Sequence, residues 1–247
     1  MVLTSLQWIC LAFGALLAGI SKTAIGGLGA LAVALFTYVF PSSKQASGLV
    51  LPLLIFADFV AVFAYRQHAQ WHYLAKLLPW TAVGVVLGYF TLGHISDRAA
   101  RLSIGLIILG LAVLSVGRRY RPAGADATAP IHWSIAMGVG ILAGFITLIA
   151  NAAGPLMAIY LIAMRLPKMQ YVGTTAVFFL VLNLFKVPFM AALGLITVAS
   201  FRLNLMVLPA VLVGAATGRW LLGRINQAVF ENLVIGMSAI AGLMLLI

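Results

Sequence analysis

The chain has 247 residues, of which 64% are hydrophobic and only 8% are charged. Soluble domains are about 45–50% apolar and about 25% charged, so this composition excludes a soluble enzyme, a disordered chain and a nucleic-acid binder, and it indicates a helical membrane protein. The 15 Lys and Arg residues against 4 Asp and Glu give a net charge of +11, which we interpret mainly as a signal of topology and of contact with lipid headgroups.

Charged and turn-forming residues divide the chain into hydrophobic runs. In chain order these runs are 5–20, 24–40, 46–65, 74–93, 99–117, 132–149, 153–165, 171–191, 203–222 and 228–247. A membrane span needs about 20 apolar residues. Residues 20–27 and 150–155 each interrupt a stretch that is otherwise apolar, and they leave short pieces on either side. Each break therefore predicts short helices or re-entrant half-helices that meet at a tip.

The two halves of the chain share a spacing of small residues, and the basic loop 118–131 lies between them. Pro79, Gly84, Gly88 and Gly93 recur 130 positions later as Pro209, Gly214, Gly218 and Gly223; Gly19 and Gly29 recur 125 positions later as Gly144 and Gly154; Pro41 recurs 126 positions later as Pro167. This register predicts a duplicated unit, with a first repeat at 1–117, a linker at 118–131 and a second repeat at 132–247. We interpret the Gly-x3-Gly pairs as sites where helices pack closely.

The distribution of positive charge favours inverted repeats. If 5–40 is one long crossing, each half has four crossings and the two sides of the membrane receive six and seven basic residues. If 5–40 is a hairpin, the second half is inverted and the sides receive nine and four. Cytoplasmic loops are rich in Lys and Arg, so we predict an all-α fold of two inverted repeats, each with a broken or re-entrant hairpin plus three transmembrane helices. Loop 118–131 is then cytoplasmic and both termini are periplasmic, in a bacterial inner membrane.

Few polar residues lie within the apolar runs, and burying each of them in a bilayer is costly. The candidates for substrate binding are Lys22, Thr23, Gly26, Gly27 and Gly29 at the first break, Asn151 and Gly154 at the second, and Thr174, Thr175, Asn183 and Lys186 in the run 171–191. A helix that begins within the membrane exposes backbone N–H groups and a positive dipole end, which attract an anion. Alternatively, Lys22 extends to the interface and the glycines only pack helices.

Asp58 is the one acidic residue deep in an apolar run. It fits a proton carrier or, equally, a structural partner of Lys22, Lys186 or Arg66. Lys186 either contacts substrate or extends outward, and Asn183 either binds ligand or bridges two helices. No hydrolase or metalloprotease motif is present, so we expect no enzyme activity and no cofactor. His68 and His72 are four apart, but their loop resembles a membrane interface more than a metal site.

Several of these motifs together resemble the sulfite exporter TauE/SafE family of membrane permeases, across nearly the whole chain. In the first half they are Ala18-Gly19-Ile20-Ser21-Lys22-Thr23, Gly26-Gly27-x-Gly29, Lys44-x-Ala46-x-Gly48, Leu51-Pro52-Leu53 and Ala57-Asp58. In the second half they are Ala150-Asn151-Ala152-Ala153-Gly154-Pro155, Tyr160-Leu161, Val172-Gly173-Thr174-Thr175 and Asn183-x2-Lys186-Val187-Pro188. One departure is Ala24-Ile25, where many members have a proline or another glycine, and it affects the shape of the first tip.

The resemblance implies secondary transport of a small sulfur-containing anion, such as sulfite, sulfoacetate or another organosulfonate. We expect alternating access between the two repeats, with Asp58 as the residue that couples a proton if coupling exists. Two other classes remain open, namely a passive anion channel and a membrane scaffold subunit that transports nothing. The expected partners are the anion and membrane lipid and not nucleic acid, with a homodimer left open.

Overall fold

The computed structural model describes residues 3–40, 43–91 and 133–244, with a few isolated positions at 102, 105, 106, 109, 110, 113 and 246. Within these ranges the chain forms α-helices and one 3-10 turn (Arg66–His68), with no strand. The helices are α1 (Ser5–Thr23), α2 (Leu28–Val39), α3 (Ser43–Tyr65), α4 (Trp71–Thr91), α5 (Trp133–Ala150), α6 (Ala153–Ala163), α7 (Lys168–Ala192), α8 (Val198–Arg224) and α9 (Gln227–Met244).

The all-helical prediction is confirmed, and the helices follow the predicted runs within a few residues. Six of them, α1, α3, α4, α7, α8 and α9, are long and apolar enough to cross a membrane. The predicted linker 118–131 and most of the run 99–117 lie outside the described residues. The division into domains at these positions therefore stays a prediction.

The helices differ in how much of their apolar surface the protein itself covers. In the most apolar window of α3, 67% of residues are buried, against 28% in that of α9. Large apolar side chains such as Phe90 on α4, Leu212 on α8 and Leu243 on α9 are exposed. Lipid is the solvent that such surfaces require, so α3 lies at the centre of the bundle while α4, α8 and α9 face the membrane.

The chain turns back on itself at the first break. A Cβ atom built on Gly29 would lie 3.0 Å from the Ser21 hydroxyl, and one built on Gly14 would lie 2.9 Å from the ring of Phe36. Residues farther before the break thus contact residues farther after it, so α1 and α2 form an antiparallel hairpin. With 12 residues, α2 is about 18 Å long, shorter than the membrane core of about 30 Å. This geometry excludes one long crossing over 5–40.

The two halves interlock through reciprocal helix crossings. On α4, a Cβ atom at Gly84 would collide with the carbonyl oxygen of Ile141 on α5, and on α8 one at Gly214 would collide with that of Leu16 on α1. Gly214 lies 130 positions after Gly84, and Ile141 lies 125 positions after Leu16. These are the two intervals of the sequence register. Helix α1 of the first half therefore packs against α8 of the second half, and α5 of the second half packs against α4 of the first. Helices α4 and α8 are the ones that carry the Gly-x3-Gly pairs.

Two more contact pairs obey the same register. A Cβ atom at Gly144 would collide with the Thr81 carbonyl and one at Gly19 with the Val211 carbonyl, while Gly88 faces Leu148 and Gly218 faces Thr23. In each pair, a residue of the first half contacts the second half in the same way as its counterpart in the second half contacts the first. Reciprocal contacts of this kind are typical of a two-fold relationship. The structure thus shows why these glycines recur in both halves, since each one lies where two helices approach too closely for a side chain.

Candidate functional site

The two helix breaks meet inside the bundle. The first tip, Ala24–Gly27, joins α1 to α2, and the second, Asn151–Ala152, joins α5 to α6. A Cβ atom at Gly154 would lie 3.0 Å from the carbonyl oxygen of Gly26, so the tips are in contact and a larger residue at Gly154 would push them apart. Asn151 has a φ of 50°, which asparagine tolerates better than most residues.

Helix α6 begins at the second tip without a side-chain cap. Its N-cap residue, Ala152, provides no side-chain hydrogen bond. At the first tip, Gly27 likewise provides no side-chain cap to α2 within the described part of the chain, where the backbone amides of Leu28 and Gly29 donate to the carbonyl oxygens of Ile25 and Gly26. The positive end of a helix dipole favours a negative ligand, and α6 directs this end toward the second tip.

Lys22 lies in the last turn of α1 and contacts both a carboxylate and an aromatic ring. Its Nζ is 2.8 Å from Oδ1 of Asp58, and the side chains are 10% and 0% exposed, respectively. The same Nζ lies 4.1 Å from the ring centroid of Phe179, a cation–π contact. Lys22 therefore does not extend outward to the interface; its ammonium is held beside the two tips.

A chain of amide groups connects Asp58 to Lys186. Asn183 donates from Nδ2 to Oδ2 of Asp58 at 2.6 Å and accepts from Nζ of Lys186 through Oδ1 at 3.3 Å. Lys186 also donates to Oγ1 of Thr147 at 3.1 Å and to Oδ1 of Asn151. Asn151 in turn donates to the carbonyl oxygen and hydroxyl of Ser47 at 2.9 and 2.8 Å. The buried polar groups of α3, α5 and α7 thus form one network.

A small cavity of about 30 Å³ lies between the tips and this network. A buried water needs about 10–15 Å³ of such space, so the cavity has room for about two or three waters or one small anion. The polar residues that line it are Ser21, Lys22, Thr147, Asn151, Thr175 and Asn183; the glycines are Gly26, Gly29 and Gly154; the apolar residues are Val33, Leu54 and Phe179. Lys22 is the charged group among these lining residues.

The formal charges of the network leave an excess of one positive charge. Lys22 and Lys186 each carry a positive charge, and Asp58 carries the negative charge that pairs with Lys22. The oxygens that contact Lys186 belong to a hydroxyl and two amides, which are neutral. Buried charges are normally paired, so a site with this imbalance favours an anion.

Asp58 and Asn183 join the two halves of the chain inside the site. They are hydrogen-bonded to each other and lie 125 positions apart, the interval that separates Gly19 from Gly144. Leu54 on α3 and Thr175, Phe179 and Asn183 on α7 line the cavity. The cavity therefore lies between a helix of the first half of the chain and a helix of the second.

The structure brings most of the candidate site residues together, although three lie elsewhere. Lys22, Gly26, Gly29, Asn151, Gly154, Thr175 and Asn183 line the cavity, with Asp58 and Lys186 hydrogen-bonded directly behind them. Thr23 instead donates to the carbonyl oxygens of Gly19 and Ala215. Gly27 packs against Met237 of α9. Thr174 accepts a hydrogen bond from the backbone of Gln70 at 2.9 Å.

Sequence reasoning missed several residues of the site. Thr147 lies in the last turn of α5, four positions before Asn151, which directly follows this helix, and on α7 Phe179 lies four after Thr175 and four before Asn183. Residues four apart share a helix face, so this spacing could have identified both. Ser47 carries no comparable signal, because its contact with Asn151 depends on how α3 packs against the second tip.

A family model described as Sulfite exporter TauE/SafE matches residues 11–245. The match covers nearly the full chain, so the chain belongs to this family, which is a family of membrane transporters. No curated protein and no solved structure matches the chain. With the six apolar helices, family membership makes the chain a multi-pass membrane transport protein, in agreement with the resemblance noted from its motifs.

Proposed function

We propose that this protein is a secondary transporter of a small sulfur oxyanion, with sulfite as the leading candidate, and that the anion binds between the two tips. Family membership supports the class of substrate. The observation that carries the proposal is the cavity itself, which has the ammonium of Lys22 in its wall and Gly154, in the first turn of α6, at its edge. The small volume of the cavity favours sulfite or a short sulfonate over a longer organosulfonate.

In this proposal Lys22 makes the principal contact with the anion. An ammonium has three donors, and Asp58 takes one of those of Lys22. Among the described residues, the other two have no hydrogen-bond acceptor and are available to the cavity. The hydroxyl of Thr147 lines the same space and can orient an oxygen of the anion, whereas those of Ser21 and Thr175 donate to the carbonyl oxygens of Gly26 and Tyr171.

Asp58 is the residue that we expect to couple transport to protons. Its carboxylate forms an ion pair with Lys22, the cation that would also bind the substrate. The substrate and the carboxylate therefore compete for Lys22. Protonation of Asp58 would remove the competing charge and free Lys22 for the anion. The charged groups that face Asp58 from its neighbours are Lys22 on α1 and, through Asn183, Lys186 on α7. Binding of the anion and of a proton would then favour each other.

We further propose that the halves are inverted repeats that rock against each other around this site. The reciprocal glycine crossings support a two-fold relationship, and two-fold-related halves can exchange conformations to open the site to either side. Helices α1 and α2 form a hairpin. With this hairpin, nine basic residues lie on one side of the membrane and four on the other. That bias places loop 118–131 in the cytoplasm and both termini in the periplasm of an inner membrane.

The proposal is tested by uptake of labelled sulfite into proteoliposomes. We expect saturable uptake and counterflow for the wild-type protein, and at least about a tenfold loss of apparent affinity for Lys22→Ala, because a hydrogen bond to a charged group contributes about 1.5–3 kcal/mol. The matched control is Lys76→Ala, which removes an exposed lysine from α4 and should leave uptake unchanged.

Loss of Lys22 alone leaves Asp58 buried without its ion pair, which destabilises the fold. The double variant Lys22→Gln/Asp58→Asn removes both charges, so it should fold better and still fail to take up sulfite. Normal uptake by this folded double variant would exclude Lys22 as the anion-binding residue. Rapid, non-saturating flux without counterflow would indicate a passive anion channel. If the wild-type protein shows no flux at all, the result would favour a membrane scaffold subunit that transports nothing.

A further inference from the structure

Lys186 is enclosed so completely that its ammonium has no donor left for a substrate. The side chain is 0% exposed, and it is not among the residues that line the cavity. Its three donors are matched by three neutral oxygens, Oγ1 of Thr147, Oδ1 of Asn151 and Oδ1 of Asn183. A lysine that contacted an anion would need at least one of these donors free.

The three oxygens are held in place by other contacts. Asn151 donates its amide N–H groups to Ser47, and Asn183 donates to Asp58, so both amide oxygens point toward Lys186. Helix α5 ends at Ala150, immediately before Asn151, and the C-terminal end of a helix carries partial negative charge. Convergent neutral oxygens at the end of a broken helix are a typical setting for a coupling cation in transporters.

We propose that this pocket is a monovalent-cation site, formed by Thr147, Asn151 and Asn183, which the ammonium of Lys186 fills. The protein thus carries a tethered cation in place of Na⁺, and transport runs without Na⁺. The second statement rests on the proposed transport function, whereas the site itself rests on the contacts of Lys186. If the ammonium is removed and its space is left open, a free Na⁺ or ammonium ion should bind there.

The test compares two variants of the purified full-length protein in detergent. Lys186→Ala removes the charge and leaves space, whereas Lys186→Met removes the charge and fills the space with an apolar chain of similar length. We expect NaCl or NH₄Cl to raise the Tm of Lys186→Ala by about 5 °C relative to choline chloride, because a ligand that binds only the folded state stabilises it. Wild-type protein and Lys186→Met should show no difference between these salts.

A second substitution tests the ligands. Thr147→Val keeps the shape of Thr147 and removes its hydroxyl, so it should reduce the cation-dependent shift of Lys186→Ala at least twofold. An equal response to salt in all variants, or none in a folded, monodisperse Lys186→Ala, would overturn the cation site. If Lys186→Ala does not fold in any salt, sulfite uptake by the wild-type protein still tests the proposal. Uptake should be the same in NaCl and in choline chloride, and uptake that requires Na⁺ would contradict the proposal. The Tm measurement involves no sulfite, so failure of the transport proposal would leave it unaffected.

Discussion

At the scale of single residues, Asp58 connects the anion site to the rest of the network. One of its oxygens contacts the ammonium of Lys22 and the other accepts a hydrogen bond from Asn183, so its charge is shared between the cavity wall and α7. A carboxylate in this position imitates the substrate, because both would bind the same ammonium. Whether Lys22 is available therefore depends on the charge of Asp58, and this is the basis of the proposed coupling.

Asp58→Asn should separate binding from coupling. The amide is similar in shape and lacks the charge, so Lys22 should bind anions at least about tenfold more tightly, which corresponds to about 1.4 kcal/mol. Accumulation should no longer follow an imposed pH gradient. The measurement is equilibrium binding and proteoliposome uptake of labelled methanesulfonate, whose charge does not change near neutral pH. For the wild type, binding should strengthen as pH falls, since protonation of Asp58 removes its competition for Lys22.

The matched control for this substitution is Glu231→Gln. Glu231 accepts a hydrogen bond from Gln227 at the beginning of α9 and does not line the cavity. This carboxylate-to-amide change should leave both binding and the pH response intact. Accumulation by Asp58→Asn that still follows the pH gradient would show that another group carries the proton.

The sequence was sufficient to identify most residues of the site because a polar residue in an apolar run is costly and therefore conspicuous. It left open the role of Asp58, and the structure selects Lys22 from the three cations considered as its ion-pair partner. The sequence could not show that Lys186 is surrounded by neutral oxygens, because those come from α5, the second tip and α7. Such side-chain contacts depend on packing between helices distant in the chain.

At the scale of helices, the glycines determine how closely the two halves approach. Where a Cβ atom would collide with a backbone carbonyl, as at Gly84 and Gly214, the neighbouring helix cannot give way without moving as a whole. In a membrane, such close contact supplies much of the attraction between helices, because burial of apolar surface provides little. The crossings α4/α5 and α1/α8 are therefore the principal contacts between the halves.

Gly84→Ala and Gly214→Ala should each destabilise the protein by about 1–3 kcal/mol, the usual cost of overpacking. Because the two crossings are equivalent, the decreases in Tm should be similar. Gly236→Ala on α9 is the control, since a Cβ atom there would meet nothing within 4 Å. Thermal unfolding in detergent measures the difference, and equal Tm values for Gly84→Ala and Gly236→Ala would contradict the close crossing.

Hydropathy predicted the helices well, since their ends follow charges and turn residues. The 130- and 125-residue intervals predicted which glycines are equivalent. They did not predict that the partners are exchanged, so that α1 packs on α8 and α5 packs on α4. A repeated pattern reports that two segments are similar, whereas the choice of neighbour depends on the shape of the assembled bundle.

At the scale of the whole molecule, the proposed transport cycle depends on how the halves are oriented. The site lies at the contact between Asp58 on α3 and Asn183 on α7. If the halves are repeats, as proposed, a change that opens one half toward one side has a counterpart in the other half. If the axis lies in the membrane plane, that counterpart opens toward the opposite side, which is alternating access. If the axis runs along the membrane normal, both changes open toward the same side.

Reporter fusions distinguish these two orientations. With inverted repeats, green fluorescent protein fused after Gly124 should fluoresce, because it remains in the cytoplasm, and alkaline phosphatase fused at the C-terminus should be active, because it reaches the periplasm. Parallel repeats would give each half an even number of crossings and place both positions on the same side. The reciprocal fusions, phosphatase after Gly124 and fluorescent protein at the C-terminus, should be inactive, and they control for expression. Fluorescence of both the Gly124 fusion and the C-terminal fusion would exclude the inverted arrangement and, with it, the proposed alternation around Asp58 and Asn183.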